Sequence, residues 1–306
     1  MSVVTVENLF LKRKKEVILN DIQFSLGTGE VMLLTGVAAS GKSLLLKIMA
    51  QIIKNYSGKI VYAPEIKKQK LLGYLPEEYK LDLNLTAREF AVEYLILNSR
   101  LPASDVVMEL VRIFTQFDAL ELLKKPIRFL SFSQQKQFLL ILLLCTQPKL
   151  LLLDSPINED TNISMEFFNK YIHFLKKHQI SAIIASKIRD IVSVEYDKLL
   201  LLHKGWTVFS ATRVQIEQQL EGYVVRLIPA NLEKTIPKME GIQHKIYMSE
   251  YDSLDLMLKP SVQPNKFLIQ LLNKQFEFDH LEIFKPTIKL FLKYKLEEFN
   301  IVETND

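Results

Sequence analysis

The stretch "EVMLLTGVAASGKSLLLKIMAQII", Glu30 to Ile53, decides the fold. Its first seven residues are a dense apolar run that reads as a buried strand, a glycine turn follows, and "KSLLLKIMAQII" has the look of a helix. Buried strand, glycine turn and helix open an α/β unit. Within it, Gly36, Val37, Ala38, Ala39, Ser40, Gly41, Lys42 and Ser43 fit G-x-x-x-x-G-K-[ST] in the strand-to-helix context that a phosphate-binding P-loop requires. Backbone N–H groups can close round a β-phosphate there, and the helix N-terminus adds partial positive charge. Lys42 would reach the β- and γ-phosphates, and Ser43 would offer a hydroxyl to Mg²⁺. The binding set runs from Gly36 through Leu44. It predicts a nucleoside triphosphate as ligand.

Outward from this unit, "VVTVENLFL" and "VILNDIQFSL" alternate apolar and polar residues, which predicts two antiparallel strands with one wet face. "KIVYA" and "LLGYLP" are short strands, and Thr86 to about Leu123 reads as helices with amphipathic spacing. A polar turn at "LSFSQ", an apolar helix, the strand "KLLLLD", a helix around "MEFFNKYIHFLKK" and the strand "SAIIAS" come next. "KLLLLHKGWTVFSA" reads as a strand pair turning at Lys204-Gly205. Strands alternating with helices imply a largely parallel sheet covered on both faces. After about Arg213 the pattern changes. "YVVRLIPA", "HKIYMS" and "SLDLMLK" read as strands, and "LEKTIPKME", "NKFLIQLLNKQ" and "PTIKLFLKYKLEEF" as helices, forming a small α+β unit. The expected division is 1–212 for the nucleotide-binding part, with a helical subdomain at about 78–146, and 213–306 for an accessory domain.

The bulk composition narrows the class. The chain has 306 residues, 48% hydrophobic and 24% charged, ordinary values for a globular protein with a sizeable core. The net charge of +4 rests on scattered lysines, as in "LKRKK" and "EIKKQK", with no aromatic-rich basic module, so no nucleic-acid partner is expected. One cysteine, Cys145, excludes an intrachain disulfide and suits a reducing compartment. It lies in the apolar run "FLLILLLC" and reads as a small buried hydrophobe. That run is too short to span a membrane, and the N-terminus carries no basic-then-apolar leader, which together predict a soluble, cytoplasmic chain.

A second stretch, "LLLLDSPINED" (Leu150 to Asp160), ends an apolar run in a carboxylate at Asp154. Together with the P-loop and the serine-rich turn between them, it resembles the nucleotide-binding subunits of ATP-binding-cassette (ABC) transporters over roughly Val3 to Ala211. The fold implied is a P-loop NTPase cassette of the ABC type, a mixed sheet with an antiparallel β subdomain and a helical subdomain. "LLGYLPEE" then falls at the Q-loop with Glu77 where glutamine is usual, "LSFSQQKQ" at the signature turn, "LLLLDSP" at the Walker B strand, "INEDT" at the D-loop and "IIASK" at the switch-histidine strand. The tail from Arg213 resembles the accessory domain of ABC-2-type exporter subunits.

The resemblance implies that two cassettes dimerise head to tail, ATP lying between one P-loop and the partner's signature residues, here Ser131, Phe132, Ser133 and Gln134. Asp154, Ser43 and Glu77 would hold Mg²⁺, Asp154 through water. The partners implied are a second cassette, either a copy of this chain or a competent heterologous one, and a membrane-spanning transporter subunit docked on the helical region after Glu77. The location implied is the inner face of the cell membrane.

Several positions depart from the family pattern. Ser155 stands where the general base is placed, and a hydroxyl cannot take a proton at neutral pH without its own activator. Lys187 replaces the switch histidine; it either lends charge to the γ-phosphate or is a solvated strand-end lysine. Ser133 replaces a glycine whose backbone approaches the partner's phosphate. Ala38 and Ala39 stand for Asn-Gly. Arg13 falls near the adenine-stacking aromatic and either stacks on the base or sits exposed in a basic loop. The D-loop aspartate is Asp160 with a one-residue shift, otherwise Thr161, and Glu159 or Glu77 is open as a substitute base. The expectation is a cassette that binds Mg-ATP and hydrolyses it weakly or not at all. The alternative is a non-hydrolysing regulatory or assembly module in which ATP is a structural ligand. A nucleic-acid-acting cassette would call for tandem cassettes or long coiled coils, and a small-molecule kinase for a substrate site; neither is visible.

Overall fold

A computed structural model describes residues 2–14, 16–69, 71–157, 163–188, 194–229, 240–248, 253–274 and 278–303. The chain divides into two compact units, Met1–Ser210 and Ala211–Asp306.

In the first unit, β1 (Ser2–Arg13) and β2 (Glu16–Gly27) form an antiparallel pair. Next come β3 (Val31–Gly36), α1 (Lys42–Met49), β4 (Ser57–Tyr62), the short α2 (Pro64–Gln69) and β5 (Leu72–Leu75). The helical region holds α3 (Ala87–Asn98), α4 (Ala103–Gln116), α5 (Leu120–Leu123) and α6 (Phe132–Cys145). After it the chain alternates β6 (Leu150–Asp154), α7 (Met165–Lys177), β7 (Ser181–Lys187), β8 (Lys198–His203) and β9 (Trp206–Thr212). β4 pairs antiparallel with β1 to complete a three-stranded sheet, and a six-stranded sheet runs in the order β5-β6-β7-β3-β8-β9.

The first five strands of that larger sheet are mutually parallel. Parallel strands covered on both faces have no wet side, which is why β3 (VMLLTG) and β6 (LLLLD) are buried at every position. The register matters for function. It sets Gly36 beside Lys187 across β3 and β7, and Asp154 beside Ala185 across β6 and β7. Gly36, Asp154 and Lys187 stand at the carboxyl ends of their strands, where open α/β sheets bind ligands.

Helix α1 ends sooner than its apolar pattern predicts. Gln51 turns left-handed at φ 60°, and the Ile52 N–H donates back to the Lys47 carbonyl at 2.9 Å, closing the last turn. In the helical region Thr86 caps α3 through a reciprocal box with Glu89. Phe138 of α6, fully buried, meets the rings of Phe90 and Phe114 at centroid distances of 6.0 and 5.9 Å. Cys145 is buried, and its thiol is pushed far up by burial, which leaves it without thiolate character.

The second unit contains α8 (Arg213–Gln219), β10 (Val224–Pro229), β11 (Ile242–Met248), β12 (Ser253–Leu258), α9 (Pro264–Asn273), β13 (Phe278–Phe284) and α10 (Ile288–Glu303). Its strands make an antiparallel sheet in the order β11-β12-β10-β13. Asp255, fully buried on β12, is held by both ends of the Arg226 guanidinium at 2.7 and 2.8 Å and accepts from the Tyr294 hydroxyl at 3.4 Å. β13 and α8 are absent from the sequence-based expectation. The edge strand β13 buries no residue fully and alternates irregularly, so it leaves little pattern to read. The helix expected at "LEKTIPKME" falls outside the described residues except for Glu240, which sits in a turn. Among the described residues no helix is long and apolar enough to cross a membrane.

Because Leu152 is fully enclosed on β6, Leu152→Ala lowers stability by about 2–5 kcal/mol. The check is the chemical-denaturation midpoint of wild type and variant side by side.

Candidate functional site: a nucleotide cradle at the carboxyl edge of the sheet

The loop between β3 and α1 has a shape that its surroundings enforce. A β-carbon on Gly36 would lie 2.1 Å from the Leu202 carbonyl and 2.6 Å from the Ser40 hydroxyl, so that position admits only glycine. Ala39 takes φ 59°, the left-handed region that an L-residue enters at a cost of roughly 1 kcal/mol. The alanine at this place therefore keeps the turn's geometry under strain. From the other side, the Gly205 N–H in the β8–β9 turn donates to the Ser40 carbonyl at 3.2 Å, and the Asn20 N–H of β2 donates to the Gly205 carbonyl at 2.9 Å. A β-carbon on Gly205 would meet the Ile18 carbonyl at 2.1 Å. Gly205 is thus part of the cradle's support, although in sequence it marks only a turn.

Lys42 is buried, and its ammonium donates to the Gly36 carbonyl at 3.0 Å, the Val37 carbonyl at 2.8 Å and the Ser40 hydroxyl at 3.0 Å. Burial lowers its pKa to about 8; the Asp154 and Glu77 carboxylates work against that fall, and the charge of Lys187 works with it. A phosphate is the compensation such a group lacks.

Ser43 donates from its hydroxyl to Asp154 Oδ1 at 3.1 Å, which joins the P-loop helix to the end of β6. Burial raises the pKa of Asp154; the Ser43 bond opposes that, Glu77 reinforces it, and Lys47 and Lys136 oppose it. A hydroxyl and a carboxylate are hard oxygen donors of the kind Mg²⁺ takes one or two at a time while phosphate and water complete its shell. Among the described residues no group of three His, Cys, Asp or Glu side chains forms a closed metal cage. Thr35 Oγ1, one residue before the loop, and Tyr74 Oη, which feels both Asp154 and Glu77, are buried with no partner. Unpaired polar atoms at this edge fit a hydrated, charged ligand, so the residues present suit Mg-ATP.

The departures take definite places. Ser155 is buried, takes φ 48° and donates its N–H to the Ala185 carbonyl at 3.0 Å, so the position after Asp154 is fixed by β7. Lys187 ends β7 opposite Gly36, and its charge reaches Lys42. Glu77 has an exposed side chain, yet its carboxylate acts on Lys42, Asp154 and Lys136. Ser131 caps α6: the Gln134 N–H donates to its hydroxyl at 3.2 Å, and its own N–H donates to Gln134 Oε1 at 3.1 Å. Phe132 stacks on Tyr79 with centroids 6.0 Å apart, and Ser133 occupies the first turn of α6. Val37 and Ala38 lie in the loop, and Leu44 lies in the first turn of α1. Arg13 lies exposed at the end of β1, opposite Glu16, and no hydrogen bond among the described residues ties it to the loop. Glu159, Asp160 and Thr161 lie outside the described residues. Sequence reading missed Gly205 and Lys136. The latter stood in view in "LSFSQQKQ", but nothing local shows that its ammonium turns inward.

A P-loop on a parallel sheet, a strand-end carboxylate bonded to its serine, and a capped turn on a separate helical region define a nucleotide-binding cassette. The chain belongs to the ABC transporter family, as an ATP-binding subunit. A family model described as ABC transporter matches residues 19–158. The zinc import ATP-binding protein ZnuC of Wolbachia sp. subsp. Brugia malayi (strain TRS) is 30% identical over 201 residues, covering 63% of this chain and 76% of its own. The protein of the same name from Ehrlichia chaffeensis is 27% identical over 187 residues, with 60% and 73% covered. Among solved structures, a nucleotide-free ATP-binding cassette from an ABC transporter superposes with a TM-score of 0.60 at 19% identity, over 71% of this chain and 94% of that one. The cbiO1 subunit of the Clostridium perfringens cbiONQ complex gives 0.60 at 21%, over 71% and 90%. These structures share the fold. Both of these relatives carry import names.

Lys42 yields a pH prediction with a definite sign. A bound phosphate favours the ammonium form, so binding takes up a proton once the free chain's Lys42, at about 8, has begun to lose its own. ATP affinity is level below pH 8 and falls above it by up to about tenfold per unit. Titration calorimetry in buffers of different ionisation enthalpy reads both the affinity and the proton uptake.

Proposed function

We propose that this chain binds Mg-ATP in its P-loop at an interface with a second cassette, and that nucleotide occupancy drives or regulates a membrane-spanning partner, with hydrolysis at its own site weak or absent. The observation that carries the reading is the contrast at the end of β6. Asp154 is held ready by Ser43 at 3.1 Å, while the next position, locked to β7, presents the hydroxymethyl of Ser155 where an acceptor for water's proton is needed. Loss of a general base typically costs about 10²–10⁴ in rate. The binding parts are intact.

Two further features support binding over turnover. Lys187 brings a fixed cation toward the Lys42 phosphate position, where it can attract a γ-phosphate without relaying a proton. The signature turn offers Phe132 and Ser133 in place of glycine backbone, so a partner's nucleotide would be gripped less closely. A chain with a sound P-loop and a blunted signature turn is best complemented by a cassette whose own signature turn is intact. The second cassette in our reading is therefore a competent heterologous one, located with this chain at the cytoplasmic face of a membrane. The reading in which ATP only closes an assembly shares every feature named here except turnover in the complex.

The test measures nucleotide binding and turnover on the same samples. Wild type binds ATP, Lys42→Ala does not, and turnover by the isolated chain stays at background. Ser155→Glu restores an acceptor at a position whose backbone is already set, and raises turnover at least about tenfold. Vigorous hydrolysis by wild type that vanishes in Lys42→Ala would overturn the reading, because another base would then be at work.

A further inference from the structure

The amino ends of β5, β6 and β7, opposite the nucleotide cradle, border a cavity of about 320 Å³. Leu71, Lys149 and Ile180, each one residue ahead of its strand, stand in its lining. The cavity therefore lies roughly 17 Å along β6 from Asp154. Its floor is apolar: Ile113 and Leu144 are buried, and so is Phe174, which has the His178 ring against it at a centroid distance of 4.2 Å.

The polar wall is ordered by hydrogen bonds. Glu109, buried on α4, accepts from Arg112 Nε and Nη2 at 2.7 Å each and from Gln147 Nε2 at 3.3 Å. The Arg112 bonds hold its carboxyl below the usual carboxylate range. Gln147 makes its bond from a backbone at φ 53°, a left-handed conformation after α6 that favours glycine. The guanidinium is thus fixed at the wall, with two donors spent on Glu109 and the others left for a ligand. Arg100 and Lys149 share the lining, and among the described residues no ion pair engages the Lys149 ammonium. Histidine aside, the lining sets three cations against one carboxylate, an excess of two positive charges.

We propose that this cavity is a second ligand site, which takes a phosphate monoester with a compact aromatic body. The phosphate meets Lys149, Arg100 and the outer side of Arg112, while the body lies over Phe174, His178 and Ile113. A phosphate monoester is close to doubly charged at neutral pH, which matches the excess, and its oxygens accept from several donors at once. A carboxylate brings one charge and leaves one cation unmatched. An apolar cavity with a few convergent polar groups is the usual form of a small-molecule site. The site goes beyond the nucleotide reading and does not depend on it. It touches the same helix, since α6 places Leu144 in the lining and starts at the signature turn.

The experiment is calorimetric titration of phenyl phosphate, at neutral pH, into the full chain saturated with Mg-ATP and into Lys42→Ala, so that the P-loop cannot account for the heat. Both bind it alike, at least about tenfold more tightly than inorganic phosphate or benzoate. Lys149→Met weakens binding about tenfold, and Lys149→Arg restores it. His178→Ala narrows the margin over inorganic phosphate. ATP affinity is unchanged in all three variants, which shows that they are folded. Absence of binding, equal affinity for benzoate or inorganic phosphate, or an unchanged Lys149→Met overturns the inference. So does binding that vanishes in Lys42→Ala, which assigns the probe to the P-loop. A wild type that binds no ATP overturns the nucleotide reading instead, and the Lys42→Ala titration still decides this one.

Discussion

The parallel pairing of β6, β7 and β3 is the constraint on which the rest of the site depends. Each of these strands is apolar almost throughout because helices cover both faces, and each ends where that cover stops. The residues at those ends cannot choose their positions independently. Gly36, Asp154, Ser155 and Lys187 are set by one hydrogen-bonded register, and a change at one leaves the others where the sheet holds them. That rigidity keeps the shape of the site whichever side chain follows Asp154. Energetically, the strands are assembled by burial, at about 25 cal/mol per Å² of apolar surface. The polar edge adds little stability and carries the chemistry.

Much of the frame was legible in the sequence because it follows from periodicity and a few obligatory residue types. The glycine and lysine of the loop, the leucines of β6 and the capping pair Ser131–Gln134 each announce a local structure that the chain adopts. The three-dimensional support of the loop was not legible. Gly205 matters because Ile18 and Ser40 converge on it from β2 and the P-loop, and neither is near it in sequence. Lys136 reads as one more polar residue on a helix; its inward direction depends on where Tyr79 lies. Likewise β13 is an edge strand whose pairing with β10, rather than its own composition, makes it a strand. Arg13, for which sequence offered either a place on the base or an exposed position in a basic loop, is exposed at the end of β1.

The electrostatics of the site form one system. Lys42, Lys136 and Lys187 confront Asp154 and Glu77 in a region where two of the three lysines are buried. Burial holds both Lys42 and Lys136 at about 8, so neither charge is comfortable in the ligand-free chain. A triphosphate relieves that discomfort directly. Affinity in such a site comes from ending an unfavourable arrangement as much as from forming new bonds.

The capping box at the start of α6 bears on what the signature turn can report. Ser131 and Gln134 begin a helix that carries much of the helical region's core, and a cap of this kind contributes about 0.5–2 kcal/mol whether or not any phosphate is gripped. The same two residues thus serve the packing of the isolated chain. A match to this half of the turn reports a well-started helix, and is silent about turnover.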